Sequence, residues 1–211
     1  MTCRRRADVA GRTANAYAEH AEEFLLRWGR KKYRQPPLLR ALLAQLPPQA
    51  TLLDLGCGAG QDARHLSARR HRVVGIDLTW PLLDFARRRT RRLPLVQADM
   101  RYLPLRARAF DGVWAAASLI HLPKPAVRRV LRDLCALVVP GGWLALTVAH
   151  GRRSGTLRTG WIPGRYFARW RKDELARVVR SAGWEIIALK TVTGRERKGR
   201  WVNLIARTKS G

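Results

Sequence analysis

Acidic side chains are scarce in this chain: 15 Asp and Glu stand against 42 Lys and Arg among 211 residues, a formal net charge of +27. Lysine is scarce too. Only Lys31, Lys32, Lys124, Lys172, Lys190, Lys198 and Lys209 occur, so arginine carries nearly all the positive charge. Two readings follow. A GC-rich coding sequence enriches Arg, Ala, Gly, Leu and Pro together without selecting a partner, whereas a strongly basic surface attracts polyanions whatever their sequence. The three cysteines, Cys3, Cys57 and Cys135, are odd in number and far apart, which excludes a disulfide framework or a zinc site and predicts free thiols. No run reaches the roughly 18 apolar residues of a membrane helix, and Met1 to Arg6 lacks the apolar stretch that follows the basic region of a signal peptide. The expectation is a cytoplasmic protein without a membrane partner. Internal repeats, low-complexity segments and linkers are also missing, so the 46% hydrophobic content predicts one domain, residues 1–211.

What is present is periodic. Tyr17, Ala21, Phe24, Leu25 and Trp28 recur at three- and four-residue spacing, predicting an amphipathic helix over 14–30, and a second helix follows Pro36-Pro37 and stops before Pro47. These form a helical cap, about 14–46. Apolar, β-rich runs at 51–55, 72–76, 94–98, 110–115 and 142–149 then alternate with helical spacing at about 60–70, 79–91 and 125–137, a cadence that predicts a parallel sheet covered on both faces over about 50–150. The remainder, about 150–208, departs from that rhythm. A helix near 171–182 leads to strands at 184–190 and 201–207, joined by too few residues for a parallel crossover, so this last pair is antiparallel.

In such sheets ligands sit beyond the carboxyl ends of the strands, where strand order reverses. The first strand runs into Gly56-Cys-Gly-Ala-Gly60, a turn bare enough for close approach at the start of a helix. Its spacing is not the G-x-G-x-x-G of dinucleotide sites, and Asp54 just before it would repel a pyrophosphate but suit a cationic or amine-bearing ligand. Asp77 closes the second strand, where a carboxylate can accept both hydroxyls of a ribose, and Asp99 closes the third, where it can accept from an exocyclic amine. Asp111 begins its strand at the opposite edge and reads as structural. Cys57 reads as a small residue under the loop.

The glycine turn with Asp54, "GID" at 75–77, "ADM" at 98–100, "FDGVWAAASLIHL" at 110–122 and "VVPGGWLAL" at 138–146 together resemble the successive motifs of class I S-adenosylmethionine-dependent methyltransferases. The resemblance spans about residues 14–207. It implies a doubly wound, seven-stranded, mostly parallel α/β sheet with one antiparallel strand near its edge, the Rossmann-like methyltransferase fold, and S-adenosylmethionine as cofactor. It further implies that Asp54, Gly56 and Gly58 face the methionine part, Asp77 the ribose, and Asp99 with Met100 the adenine. Cys57, Gly60, Leu78 and Ala115 complete that set.

For the acceptor, His121 lies just beyond the fourth strand, where related enzymes approach the transferring methyl. It reads either as a general base or as a packing histidine before Pro123. Tyr17 resembles the aromatic residue that closes the site in relatives, or else packs in the core. "AAASLI" at 115–120 lacks the Pro-Pro-aromatic turn of adenine amino-methyltransferases and the Pro-Cys of cytosine C5 enzymes, and no acid cluster for a metal is present. Topology puts the basic run 87–92 at the far edge as a solvated face, whereas 165–172 and 194–200 rim the ligand side with Trp161, Tyr166, Phe167 and Trp170. That rim suits an anionic or aromatic small-molecule acceptor, or tRNA; a basic RNA-binding module without turnover is the non-enzymatic alternative.

Overall fold

The computed structural model describes residues 8–90, 92–194 and 199–209. Cys3, Arg91, Arg195, Arg197 and Lys198, each part of a reading above, lie outside the described residues. Helix α1 (Val9–Glu19) opens on Asp8, whose carboxylate accepts from the Ala10 amide at 3.2 Å as an N-cap. The single helix expected over 14–30 is broken: α2 (Ala21–Phe24) follows the non-helical His20 and passes into a π-turn, Leu25–Gly29. Helix α3 (Pro37–Leu43) uses proline in its first turn, where the missing N–H is not needed.

Strands β1 (Thr51–Leu55), β2 (Arg72–Asp77), β3 (Leu95–Gln97), β4 (Phe110–Ala116) and β5 (Val138–His150) are parallel and alternate with α4 (Gln61–Ser67), α5 (Trp80–Arg89) and α6 (Lys124–Leu137). After the short strands β6 (Gly155–Thr156), β7 (Tyr166–Phe167) and β8 (Arg169–Trp170) come α7 (Lys172–Ser181), β9 (Trp184–Thr193) and β10 (Arg200–Thr208). The sheet order is β3-β2-β1-β4-β5-β10-β9, with β10 antiparallel to both neighbours, and β8 adds a short eighth strand on β5. Order reverses between β1 and β4.

Both faces of the sheet are buried. Along β1, Leu53 and Leu55 enter a cluster with Val127, Leu131 and Val179 of α6 and α7, while Leu52 points to the other face with Leu39, Leu42 and Leu66 of α3 and α4. Truncating one such leucine to alanine costs about 2–5 kcal/mol, since a close-packed interior leaves the cavity unfilled. Asp111 supports the far edge, accepting from the Thr51 amide at 2.7 Å. Arg87 and Arg89 of the basic run lie over the rings of Trp80 and Phe85, and Arg89 donates to the Gly29 carbonyl, so that run is more than a solvated face. Among the described residues no helix is long and apolar enough to cross a membrane.

Candidate active site

At the reversal point β1 delivers the chain into three left-handed glycines, Gly56, Gly58 and Gly60, with φ of +73°, +51° and +71°. A Cβ on Gly56 would lie 2.3 Å from the Ser118 Cβ, and one on Gly60 2.9 Å from the Ala86 Cβ, so the turn is packed against the end of β4 and against α5. Its amides face inward. Those of Gly56 and Cys57 donate to the Ile76 carbonyl, and that of Gly58 to Asp77 Oδ2 at 2.9 Å. The expected role of Gly56 and Gly58 is thereby narrowed, because these residues can offer a ligand bare backbone and carbonyl oxygens but no amide donors.

Carboxylates gather around this turn. Asp54 is buried and its Oδ2 has no hydrogen-bond partner. Burial, followed by the charges of Asp62 and Asp77, pushes its carboxyl well above the ordinary range. Asp77 accepts from Gly58 through Oδ2 and from the Thr79 amide through Oδ1 at 2.8 Å; burial raises its pKa against these bonds. Asp62, unnoticed in the sequence, accepts from the Tyr33 hydroxyl at 2.7 Å and the Trp114 indole at 2.8 Å. A site rich in acid and poor in amides has the chemistry of a receptor for a cation.

The remaining residues sort by position. Burial and the nearby Asp54 and Asp77 push the Cys57 thiol up, which makes it an inert filler packed near Gly75. The Leu78 carbonyl accepts from Gln97, and Met100 packs on the edge of the core. Arg101 grips both oxygens of Asp99 and reaches Asp8 at 2.8 Å, tying the third strand's acid to the start of α1. Ala115, one residue before the end of β4, is fully buried. It pairs in register with Leu146 of β5, and beyond it come Ala117, held at a φ of +59°, and Ser118, which lies against Gly56 and whose buried hydroxyl lacks a partner.

The family described as "Methyltransferase domain" matches residues 52–142, the span that carries the glycine turn and these acids. The fold is that of the class I S-adenosylmethionine-dependent methyltransferases, and residues 52–142 carry the match to their domain. It is 31% identical over 157 residues to the malonyl-[acyl-carrier protein] O-methyltransferase of Enterobacter lignolyticus, covering 74% of this chain but only 57% of that relative. The chain thus spans little more than half the length of such relatives. Its fold superposes on the Burkholderia thailandensis 1,6-didemethyltoxoflavin-N1-methyltransferase, solved with 1,6-didemethyltoxoflavin and S-adenosylhomocysteine, with a TM-score of 0.75 at 22% identity over 100% of this chain and 92% of that one. A methyltransferase from Methanosarcina mazei gives 0.74 at 18% identity, covering 85% and 100%.

Tyr17 of α1 and His121, just beyond β4, meet. The His121 Nδ1 lies 2.8 Å from the Tyr166 carbonyl, which can only accept, so Nδ1 carries the proton; in the neutral ring Nε2 then accepts from the Tyr17 hydroxyl at 3.0 Å. Tyr166 is pinned in turn by its amide, which donates to Thr13 of α1. Phe24 closes the gap to the glycine turn, 3.2 Å from where a Gly58 Cβ would lie, and its ring stacks on Trp161 at 6.2 Å. The sequence showed Phe24 only as one apolar position on a helix.

Proposed function

We propose that this chain transfers a methyl group from S-adenosylmethionine to an O, N or S atom of a small-molecule acceptor. The unpartnered, buried Oδ2 of Asp54 carries the reading, because a carboxylate sealed beside a bare glycine turn lacks only a cationic partner, and the amino group of S-adenosylmethionine is one. When bound, the cofactor supplies a methyl group on a sulfonium, which an acceptor lone pair displaces in line. In this reading Asp54 with Gly56, Gly58 and Gly60 holds the methionine end, Asp77 and Leu78 the ribose, and Asp99 with Met100 the adenine. Cys57 fills space beneath, and Ser118 stands beside the turn with Ala115 buried in β4 behind it. Residues 9–29 form the cap, with Phe24 excluding water over the turn. Tyr17 relays the acceptor's proton to His121, since a proton accepted at the tyrosine oxygen releases the one its hydroxyl shares with Nε2.

The reading is tested by calorimetry with S-adenosylhomocysteine, followed by transfer of labelled methyl into a metabolite extract and, separately, total tRNA. Binding with label only in small molecules is expected. No binding defeats the whole reading, and label in tRNA would move the acceptor to RNA, a reading supported by the basic runs 165–172 and 194–200, of which 195–198 lie outside the described residues.

A further inference from the structure

Arg165 is 8% exposed, and its Nε–H is sealed from solvent without an acceptor. No carboxylate of a described residue pairs with it. Three aromatic faces surround its guanidinium instead: Trp161 at 4.8 Å, Phe167 at 5.7 Å and Tyr17 at 5.9 Å. The neighbouring residue, Tyr166, holds His121 through its carbonyl, and the His121 ring meets the same Tyr17 and Phe167 rings at 5.1 and 6.1 Å. The charge therefore belongs to the acceptor side of the site.

A guanidinium keeps its charge at any pH at which the protein folds, and burial without an acceptor is unfavourable; ring faces compensate only in part. We propose that Arg165 binds a free carboxylate on the acceptor, one borne by a flat apolar body that fits between these rings. This rests on the methyltransferase reading above and adds the substrate class. A carboxylate suits better than a phosphate, because one buried positive charge balances one negative charge, whereas a phosphate brings about −1.5 to −2. The gripped carboxylate is not the group methylated. Its methylation would erase the charge as transfer proceeds, so the grip would weaken in the transition state and oppose the reaction. A second atom of the acceptor, on the Tyr17 side, forms the bond to the methyl carbon while the carbon–sulfur bond breaks and its electron pair stays on sulfur. The acceptor's proton leaves through Tyr17 to His121, and the product remains an anion.

The test titrates benzoate, phenylacetate and indole-3-acetate, each beside its primary amide, into wild-type protein saturated with S-adenosylhomocysteine, and into Arg165→Met and Arg165→Lys. At least one acid should bind tenfold or more tighter than its amide in wild type. That preference should vanish in Arg165→Met and persist in weakened form in Arg165→Lys, with S-adenosylhomocysteine affinity unchanged within about twofold in all three. Acids binding no better than amides, a preference surviving in Arg165→Met, or S-adenosylhomocysteine affinity lost in both variants overturns the proposal. Failure of wild type to bind S-adenosylhomocysteine defeats the underlying reading instead.

Discussion

Replacing Asp77 by alanine perturbs two things that the structure separates. Besides facing the proposed ribose position, the carboxylate accepts from the backbone amides of Gly58 and Thr79 at 2.9 and 2.8 Å, so the substitution strips two donors of a charged partner. Bonds of this kind contribute about 1.5–3 kcal/mol each. Part of that is offset, because burial already disfavours the ionised carboxylate. A net loss of about 2–3 kcal/mol remains, or about 4–12 °C in Tm for a chain of this size. Urea titration of the ligand-free protein reads this term alone. Calorimetry with S-adenosylhomocysteine reads the second: loss of the ribose bonds should weaken binding tenfold or more. Unchanged urea stability would refute the claim that Asp77 braces the glycine turn, and unchanged affinity would refute its place at the ribose.

Gly56→Ala should cost about 2 kcal/mol or more, from a left-handed backbone and a Cβ 2.3 Å from that of Ser118; urea titration should show Ser118→Gly recovering the steric part and Ser118→Ala, which keeps its Cβ, recovering none. For Asp54 the raised pKa means that the folded, ligand-free protein keeps a proton that the unfolded chain releases near 3.8, so unliganded stability falls as pH rises from there through the folded pKa. The ammonium group of a ligand seated against Asp54 expels that proton, so S-adenosylhomocysteine binding should tighten with rising pH through the same window and release protons in calorimetry, both effects disappearing in Asp54→Asn. His121→Ala and Tyr17→Phe should each lower turnover about a hundredfold with cofactor affinity unchanged, and the double variant should be little worse than either, as steps in series require. Lost stability with unchanged specific activity would make His121 a packing residue.

The strand and helix cadence was legible because alternation and helical spacing are local, and the reversed β10 followed from the short connection before it. Asp54, Asp77 and the glycines were visible for the same reason, lying at strand ends. Asp62 was not, because an acid in a first helical turn reads as a cap; its partners Tyr33 and Trp114 are 29 and 52 residues distant. The basic phrase 165–172 read as one face, yet the structure divides it, with Arg165 buried among rings while Arg169 and Arg171 stay exposed. Ala115 is sealed within β4, whereas Ser118, three residues on, meets the Gly56 turn. A motif says that β4 ends near the site, but only the pleat decides which residue emerges.

The double grip of Arg101 gives the cap a dependence on dissolved salt. Its inner partner Asp99 is 18% exposed and its outer partner Asp8 is 51% exposed. Mobile ions therefore screen the outer bond first. Asp8 also caps α1, the helix that carries Tyr17, so ionic strength acts as a dial on how firmly α1 is fastened while the Asp99 end stays set.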